Sequence, residues 1–138
     1  MTERTLTIVK PDAVENRHVG HIVARLEEEG FAILAARKTL LSKKQAQAFY
    51  AVHRKRPFYR SLVAYMSSGP VYVLALERDN AVAHLRSVMG DTDAKKAKRG
   101  TIRKLYGESI ERNAIHGSDS TANAAIELAF FFPSADLV

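Results

Sequence analysis

The stretch VYVLAL, residues 71–76, decides the fold of this chain. Five of its six side chains are aliphatic and the sixth is aromatic, a composition that is typical of a strand. Because no polar residue alternates with the apolar ones, the stretch is too apolar for the edge of a sheet. It is therefore predicted to be an internal strand, and the neighbouring elements are arranged around it.

Helices are predicted on both sides of this strand. Pro57 begins the helical stretch before it, and the tetrapeptide SSGP at residues 67–70 closes that stretch. Asn80 is predicted to cap the helix after it, which Gly90 ends. The side chains predicted to point inward are Leu62, Val63 and Met66 in the first helix, and Val82, Leu85, Val88 and Met89 in the second.

The first forty residues predict a strand, a helix and a second strand. TLTIV at residues 5–9 alternates with a period of two and is β-branched, and Pro11 stops it. From Val19 to Glu29, apolar residues recur at i, i+3, i+4 and i+7, which indicates an amphipathic helix that Gly30 ends. FAILAARKTLL at residues 31–41 predicts the second strand.

The later elements complete the fold. Ser42 and Gln45 form a capping box, which begins a helix running to about Tyr50. Residues 91–100 predict a polar loop, residues 113–116 a brief strand and residues 121–132 a last helix. This order predicts an α+β, ferredoxin-like sandwich, with helices packed on a four-stranded antiparallel sheet, in a single domain over residues 1–138.

The composition narrows the class of protein. The chain has 138 residues, 46% of them hydrophobic, and no cysteine, which excludes disulfides and thiolate metal sites. We expect a cytoplasmic protein, since the N-terminal sequence lacks a signal region and no apolar run approaches a membrane span. The net charge of +6 favours an anionic partner, which charge alone leaves open among nucleic acid, a phosphate-bearing small molecule and an acidic surface.

Common nucleotide-binding and zinc-binding motifs are absent from the sequence. There is no P-loop, no dinucleotide-binding GxGxxG and no HExxH zinc motif. Side chains must therefore hold any bound phosphates, and Lys10, Arg86 and Arg103 each stand beside the end of a predicted element. Two guanidinium groups and an ammonium group could neutralise a triphosphate, although each cation taken singly is more often an ordinary surface charge.

His116 is the most distinctive histidine, because it lies in NAIHGSDS at residues 113–120. Gly117 is interpreted as clearance for a ligand, and Ser118 and Asp119 as caps of the last helix. A neutral imidazole is a nucleophile that could accept a phosphoryl group and pass it on. The alternative is a structural histidine in a tight turn. His18, His21, His53 and His84 show no special neighbours in the sequence.

NAIHGSDS resembles the NxxHGSD signature of the nucleoside diphosphate kinases, a long and specific motif. The resemblance extends over nearly the whole chain. Its other matching segments are TLTIVKPDAV at residues 5–14, FYAVHRKRPFY at 49–59, SGPVYVLALERDNAV at 68–82, LRSVMGDT at 85–92 and GTIR at 100–103.

The resemblance implies a role for ten residues. His116 would carry the γ-phosphoryl group as phosphohistidine, and Phe58 would stack on the base of the nucleotide. Glu127, supported by Ser118, would orient the ring nitrogen of His116 that does not react, and Tyr50 would lie near the phosphates beside Lys10. The residues expected to hold the phosphates and the ribose are Lys10, Arg86, Thr92, Arg103 and Asn113.

The resemblance also implies a reaction and its partners. The enzyme would transfer the γ-phosphoryl group of a nucleoside triphosphate, chiefly ATP, to a nucleoside diphosphate in two ping-pong half-reactions with broad base specificity. Mg²⁺ would ride on the nucleotide phosphates and have no direct protein ligand. A homo-oligomer built from dimers is expected, and the choice between tetramer and hexamer stays open.

The sequence departs from the family in one loop. Family members usually carry an Asn-Pro pair and a later proline where this chain has Asp93-Ala94 and Arg99. Since missing prolines leave the unfolded chain more freedom, the departure bears on subunit contacts made by residues 93–100 and leaves the chemistry unaffected.

Two other functions fit parts of the sequence. One is a basic nucleic-acid-binding module on a ferredoxin-like sheet, which would use the net charge of +6 and the aromatic side chains of Phe58 and Tyr59. The predicted strands are aliphatic, however, and lack the aromatic motif of such modules. Nucleic acid could also be bound as a side activity of the kinase. The other is a phosphohistidine carrier or a catalytically silent scaffold, which the presence of every matched polar residue disfavours.

Overall fold

Four strands form one antiparallel sheet in the order β2-β3-β1-β4. They are β1 (Thr2–Val9), β2 (Ala32–Thr39), β3 (Val71–Asp79) and β4 (Ile115–Gly117). The structure, a computed structural model, describes residues 2–138. β3 contains VYVLAL and pairs with β2 on one side and β1 on the other, which confirms its predicted internal position and the antiparallel ferredoxin-like fold.

Seven α-helices connect and cover the strands in the part of the chain that the structure describes. They are α1 (Pro11–Glu15), α2 (Val19–Glu28), α3 (Lys43–Phe49), α4 (Tyr59–Met66), α5 (Ala81–Met89), α6 (Ile102–Tyr106) and α7 (Thr121–Phe131), and there are 3₁₀ turns at Ala51–His53, Ala94–Lys96 and Ser134–Asp136. The sequence did not predict α1 or α6, because five residues are too few to show helical periodicity. The predicted loop at residues 91–100 contains one of the 3₁₀ turns.

The ends of three helices test the predicted caps. Ser42 accepts from the Gln45 amide, and the Gln45 side chain accepts from the Ser42 amide, so the capping box is confirmed. Asn80 precedes α5 with a φ of 54° and makes no side-chain cap bond, so that capping prediction was wrong. Ser120, and neither Ser118 nor Asp119, caps α7 by accepting from the amide of Asn123.

Hydrophobic clusters lie on both faces of the sheet. Leu6 and Ile8 of β1 belong to the cluster that contains side chains of α3, α4 and α7. Leu74 and Leu76 of β3 belong to the cluster that contains side chains of α2 and α5. Helices therefore cover both faces of the sheet. Between residues 2 and 138, no helix has both the length and the apolar composition needed to cross a bilayer.

Candidate active site

β4 presents His116 at the end of the sheet. The strand pairs with β1, and the Thr7 hydroxyl donates to the His116 carbonyl at 2.7 Å. The Nε2 atom of the ring lies 2.8 Å from Glu127 Oε1, and the Ser118 hydroxyl donates to the same oxygen at 3.0 Å. Since an ionised carboxylate only accepts, this contact places the ring proton on Nε2 and leaves the lone pair on Nδ1. The His116 side chain is 20% exposed.

Gly117 follows His116 at a place where β4 and α5 approach closely. A Cβ atom on Gly117 would lie 2.6 Å from the sulfur of Met89 and 3.0 Å from a methyl group of Leu85. This space is therefore filled by the core, and the interpretation of Gly117 as clearance for a ligand was wrong. The glycine is required for packing, which fixes the distance between α5 and the strand of the histidine.

Aromatic rings from the end of α3 pack against His116. The ring centroid of Phe49 lies 5.5 Å away and that of Tyr50 6.1 Å away, both edge-on. The Tyr50 hydroxyl is buried and has no hydrogen-bond partner within residues 2–138. Burial, followed by the nearby Glu127 carboxylate, raises the pKa of Tyr50, so this phenol stays protonated. Its recorded ring contacts are with Phe49, His53 and His116, and no recorded contact joins it to Lys10.

A strained residue lies two positions before the histidine. Ala114 has a φ of 74°, which is unfavourable for a residue with a Cβ, and the Ile115 amide donates to the Asn113 carbonyl across it. Asp12, which is 0% exposed, accepts from the Ala114 amide at 3.0 Å. The Lys10 amide donates to the Ala114 carbonyl at 2.9 Å. These bonds hold the strained turn in place.

Tyr65 completes the support of this turn. Its hydroxyl donates a short hydrogen bond to the Asp12 carboxylate and accepts from the Asp12 amide at 2.7 Å. Burial and this hydrogen bond raise the pKa of Tyr65. The sequence analysis missed both residues, since the partners are 53 and 102 positions apart and neither belongs to a recognisable motif.

Lys10 and Asn113 form a second buried pair. The Lys10 ammonium donates to Asn113 Oδ1 at 2.9 Å and to the Glu111 carbonyl at 3.1 Å. The Asn113 amide group donates to the carbonyls of Thr92 and Ile110. Burial, with the charge of Arg103 as the next cause, lowers the pKa of Lys10 to about 8. Lys10 therefore remains largely charged at pH 7, in a place where its charge is incompletely compensated.

Arg103 lies on α6 and joins this helix to the strand of the histidine. Its two terminal nitrogens donate to the carbonyls of Gly90, at 3.1 Å, and Ile115, at 2.8 Å. Its Nε is buried and has no partner within the described residues. Burial, followed by the charge of Arg86, lowers the pKa of Arg103 to about 10. Because the positive charge of each cation raises the energy of its charged neighbour, the group of cations favours the binding of an anion.

The remaining predicted residues are exposed. Arg86 lies on the surface of α5, and Thr92 lies in the loop that follows α5. Phe58 is 47% exposed just before α4, and its recorded ring contact is with His53, at 5.5 Å between centroids. The structure thus groups Lys10, Arg103, Asn113 and the histidine side by side. It brings Phe58 and the Thr92 side chain into no recorded contact with them.

The other four histidines also have neighbours that the sequence did not predict, and those of His84 and His18 show what these contacts do. His84 Nε2 lies 2.9 Å from Glu29 Oε1, and this bond, followed by that from Arg25, lowers the pKa of Glu29. The ring of His18 packs on Tyr106 at 4.7 Å. Both contacts join residues far apart in the sequence, and neither lies at the site around His116.

Comparison with known proteins shows the family of the chain. The family model for nucleoside diphosphate kinase matches residues 3–137. Nucleoside diphosphate kinases of Dechloromonas aromatica and Granulibacter bethesdensis are each 54% identical, over 95% and 99% of this chain and 92% and 97% of their own.

Solved structures of the same enzyme class superpose closely. The Aquifex aeolicus nucleoside diphosphate kinase has a TM-score of 0.98 at 42% identity, and each chain is covered completely. The Halobacterium salinarum enzyme in complex with CDP has a TM-score of 0.96 at 38% identity, covering 100% of this chain and 92% of its own. The chain belongs to the nucleoside diphosphate kinase family and is an enzyme of that class.

Proposed function

We propose that the chain moves the γ-phosphoryl group of a nucleoside triphosphate, chiefly ATP, to a nucleoside diphosphate through a phosphohistidine at His116. The observation that carries the proposal is the contact between Nε2 and Glu127, which leaves the Nδ1 lone pair for the reaction. Nδ1 attacks the γ-phosphorus while the bond from that phosphorus to the β,γ-bridging oxygen breaks, and its electrons leave with the diphosphate. A second nucleoside diphosphate then attacks the phosphohistidine, and the electrons of the broken P–N bond return to Nδ1.

The buried cations would stabilise the charge of the transferring group. In phosphoryl transfer, negative charge spreads over the equatorial oxygens, and positioned cations stabilise it with little reorganisation. We assign this role to Lys10 and Arg103, whose charges are buried and incompletely compensated in the free protein. We assign it also to Arg86, an exposed cation whose charge acts on Arg103. Thr92 and Asn113 are assigned to the phosphates and the ribose, with Asn113 also holding the ammonium of Lys10.

The base would be held by stacking. Phe58 is half-exposed and so can offer a ring face to any base, and stacking is indifferent to the hydrogen-bonding edge of the base. Broad base specificity follows from this mode of binding. Tyr50, Ser118 and Glu127 are assigned to supporting roles around the imidazole.

Mg²⁺ is proposed to arrive with the nucleotide. The residues assigned to the phosphates include the three cations Lys10, Arg86 and Arg103, which would repel a bare metal ion. Within residues 2–138, no group of three or more His, Asp or Glu side chains is placed to hold a metal ion. The residues therefore fit a metal carried by the β- and γ-phosphates, where it supplies charge neutralisation.

The domain organisation, the assembly and the cellular location of the chain are also proposals. We propose one kinase-like domain over residues 1–138 that assembles into a tetramer or hexamer built from dimers. The proline-free loop at residues 93–100 would then bear on the stability of those contacts. We propose the cytoplasm as its location, since its substrates are the nucleotides of that compartment.

The test is transfer of label from γ-labelled ATP to the protein. We expect an acid-labile, base-stable phosphoprotein that GDP discharges within one turnover. His116→Ala should abolish the label, and the matched control His21→Ala, which changes an exposed histidine on α2, should retain it. The absence of label in the unaltered chain, or its persistence in His116→Ala, contradicts the mechanism.

A further inference from the structure

Glu111, in the loop between α6 and β4, contacts Lys10 through its backbone. Its carbonyl accepts a hydrogen bond from the Lys10 ammonium at 3.1 Å, and Asn113 Oδ1 accepts another at 2.9 Å. An ammonium group has three N–H donors, so these two bonds leave one donor for a ligand. The loop therefore fixes the ammonium in place without using all of its donors.

The side chain of Glu111 is held by a different element. The Ser61 hydroxyl, on α4, donates to Glu111 Oε2 at 2.6 Å, and the two residues are 50 positions apart in the sequence. Within residues 2–138, the Glu111 carboxylate and the Lys10 ammonium form no ion pair. Glu111 thus contacts the lysine with its carbonyl, while Ser61 holds its carboxylate away from the ammonium.

The charges around Lys10 act in opposite directions. Burial and the charge of Arg103 lower the pKa of Lys10, whereas the carboxylates of Asp12 and Glu111 raise it. The ring of Tyr65 lies 6.0 Å from the ammonium. Asp12 is buried and also holds the strained turn before the histidine, whereas Glu111 is half-buried. Glu111 is therefore the carboxylate that acts on the lysine without supporting that turn.

We propose that Glu111, held by Ser61, is a positioning residue for Lys10, an inference that rests on the proposed role of this lysine in phosphoryl transfer. The Glu111 carbonyl fixes the ammonium, and the carboxylate stabilises its positive charge from a distance. A direct ion pair would occupy the third N–H donor and compete with a phosphate oxygen for it. Because Ser61 holds the carboxylate, the lysine keeps both its charge and a free donor.

The test is the pH dependence of kcat/KM in Glu111→Gln, which removes the charge and keeps the backbone carbonyl and an acceptor for Ser61. Loss of one partly exposed charge should lower the pH at which Lys10 loses its proton by about half a pH unit. We therefore expect kcat/KM to be nearly unaltered at about pH 6.5 and about three-fold lower at about pH 9. A residue that only supports the fold would lower kcat/KM by the same factor at both pH values.

Ser61→Ala tests whether the serine acts through the carboxylate. It should lower kcat/KM at alkaline pH by a smaller factor than Glu111→Gln does, and it should add nothing in the Glu111→Gln background. Ser61→Thr keeps the hydroxyl and should restore the unaltered profile. Because Ser61 is exposed, Ser61→Ala carries the same test if Glu111→Gln does not fold.

The matched control is Glu15→Gln, which removes the same charge from an exposed position of α1 and should keep the unaltered profile. NMR titration of ¹³C-labelled lysine side chains, with Lys10→Met for assignment, measures the same midpoint in the free protein. This readout needs no turnover, so it separates a failure of this proposal from a failure to form the phosphoenzyme. An unaltered Lys10 midpoint in Glu111→Gln, a loss of kcat/KM that is independent of pH, or an equal change in Glu15→Gln overturns the proposal.

Discussion

Most polar side chains that support His116 are buried and hydrogen-bonded, whereas the loop at residues 51–58 is largely exposed. Within residues 2–138, six of the seven buried polar side chains support or surround the histidine: Thr7, Lys10, Asp12, Arg103, Asn113 and Ser118. We call these six the cradle. In the loop, every residue except His53 is exposed, including Phe58.

This contrast matches the demands of the two ends of a nucleotide. Phosphoryl transfer requires charges that are already in position, because reorganising them during the reaction would raise the barrier. Base binding by stacking requires only an accessible ring, and an adaptable surface accepts bases of different size. Under the proposed assignment, the buried cradle would hold the phosphates and the exposed loop would hold the base.

The largest effect is expected for Lys10→Met, which keeps the apolar stem and removes the charge from the cradle. Loss of one stabilising cation should lower kcat/KM by about 10²–10³-fold. The free energy of unfolding should change by less than about 2 kcal/mol, since the site already penalises the charge of the lysine. Lys104→Met, at an exposed lysine of α6, is the control in steady-state kinetics and urea unfolding. A Lys10→Met variant that unfolds would show that the cation serves the fold.

Phe58→Ala tests whether the exposed loop at residues 51–58 binds the base. Loss of a stacked base should raise KM by about 5- to 100-fold, with kcat nearly unchanged, because stacking is made equally in the ground state and the transition state. Purine and pyrimidine nucleotides should be affected alike. Val52→Ala, at a side chain that is 81% exposed in the same loop, is the control. A selective loss for one base would mean that base edges are recognised.

A smaller change in kcat/KM than that of Lys10→Met is expected when the pH is raised, because Lys10 of the cradle loses its proton. The pKa of Lys10 is about 8 in the folded chain, so its charge is lost as the pH rises through 8, and kcat/KM should fall about ten-fold by pH 9. The unfolded chain keeps this proton up to its ordinary pKa of 10.5 and so binds more protons in that window. Stability should therefore rise between pH 8 and 10.5.

The fall of kcat/KM and the rise of stability above pH 8 have opposite signs, which distinguishes deprotonation of Lys10 from a general alkaline effect. Lys10→Met should remove both trends, and steady-state kinetics and denaturant unfolding at each pH measure them. A fall of kcat/KM above pH 8 that persists in Lys10→Met would assign it to another group.

The two regions also differ in how far the sequence predicts them. The strands and the longer helices follow from local periodicity and from caps such as the Ser42–Gln45 box, and the motif around His116 indicates the nucleophile. The bonds of Asp12 with Tyr65 and Ala114 could not be predicted, because they join separate elements and depend on the register of β1 with β4. The positive φ of Ala114 could not be predicted, because such a conformation is usually indicated by a glycine and this residue is an alanine. The contact of Gly117 with Met89 depends on how α5 packs.

The smallest effect is expected for Ala114→Gly, which removes the strain of the turn that the cradle holds. A left-handed conformation costs alanine about 1–2 kcal/mol, and glycine adds about 0.5–1 kcal/mol of chain entropy to the unfolded state. The free energy of unfolding should therefore rise by about 0.5–1 kcal/mol. Ala124→Gly, in the interior of α7, should lower it by about 1 kcal/mol, so the same substitution acts with opposite sign at the two places.

Asp12→Asn shows whether this turn is held by the buried carboxylate. If Asp12 imposes the strained conformation, the loss of stability and of kcat in Asp12→Asn should be smaller in the Ala114→Gly background, with a coupling of about 1 kcal/mol. Urea unfolding and steady-state kinetics of the four proteins in this cycle measure the coupling. Additive losses would mean that the turn keeps its conformation without Asp12, and the rigidity of the cradle would then come from Lys10, Arg103 and the strand pairing alone.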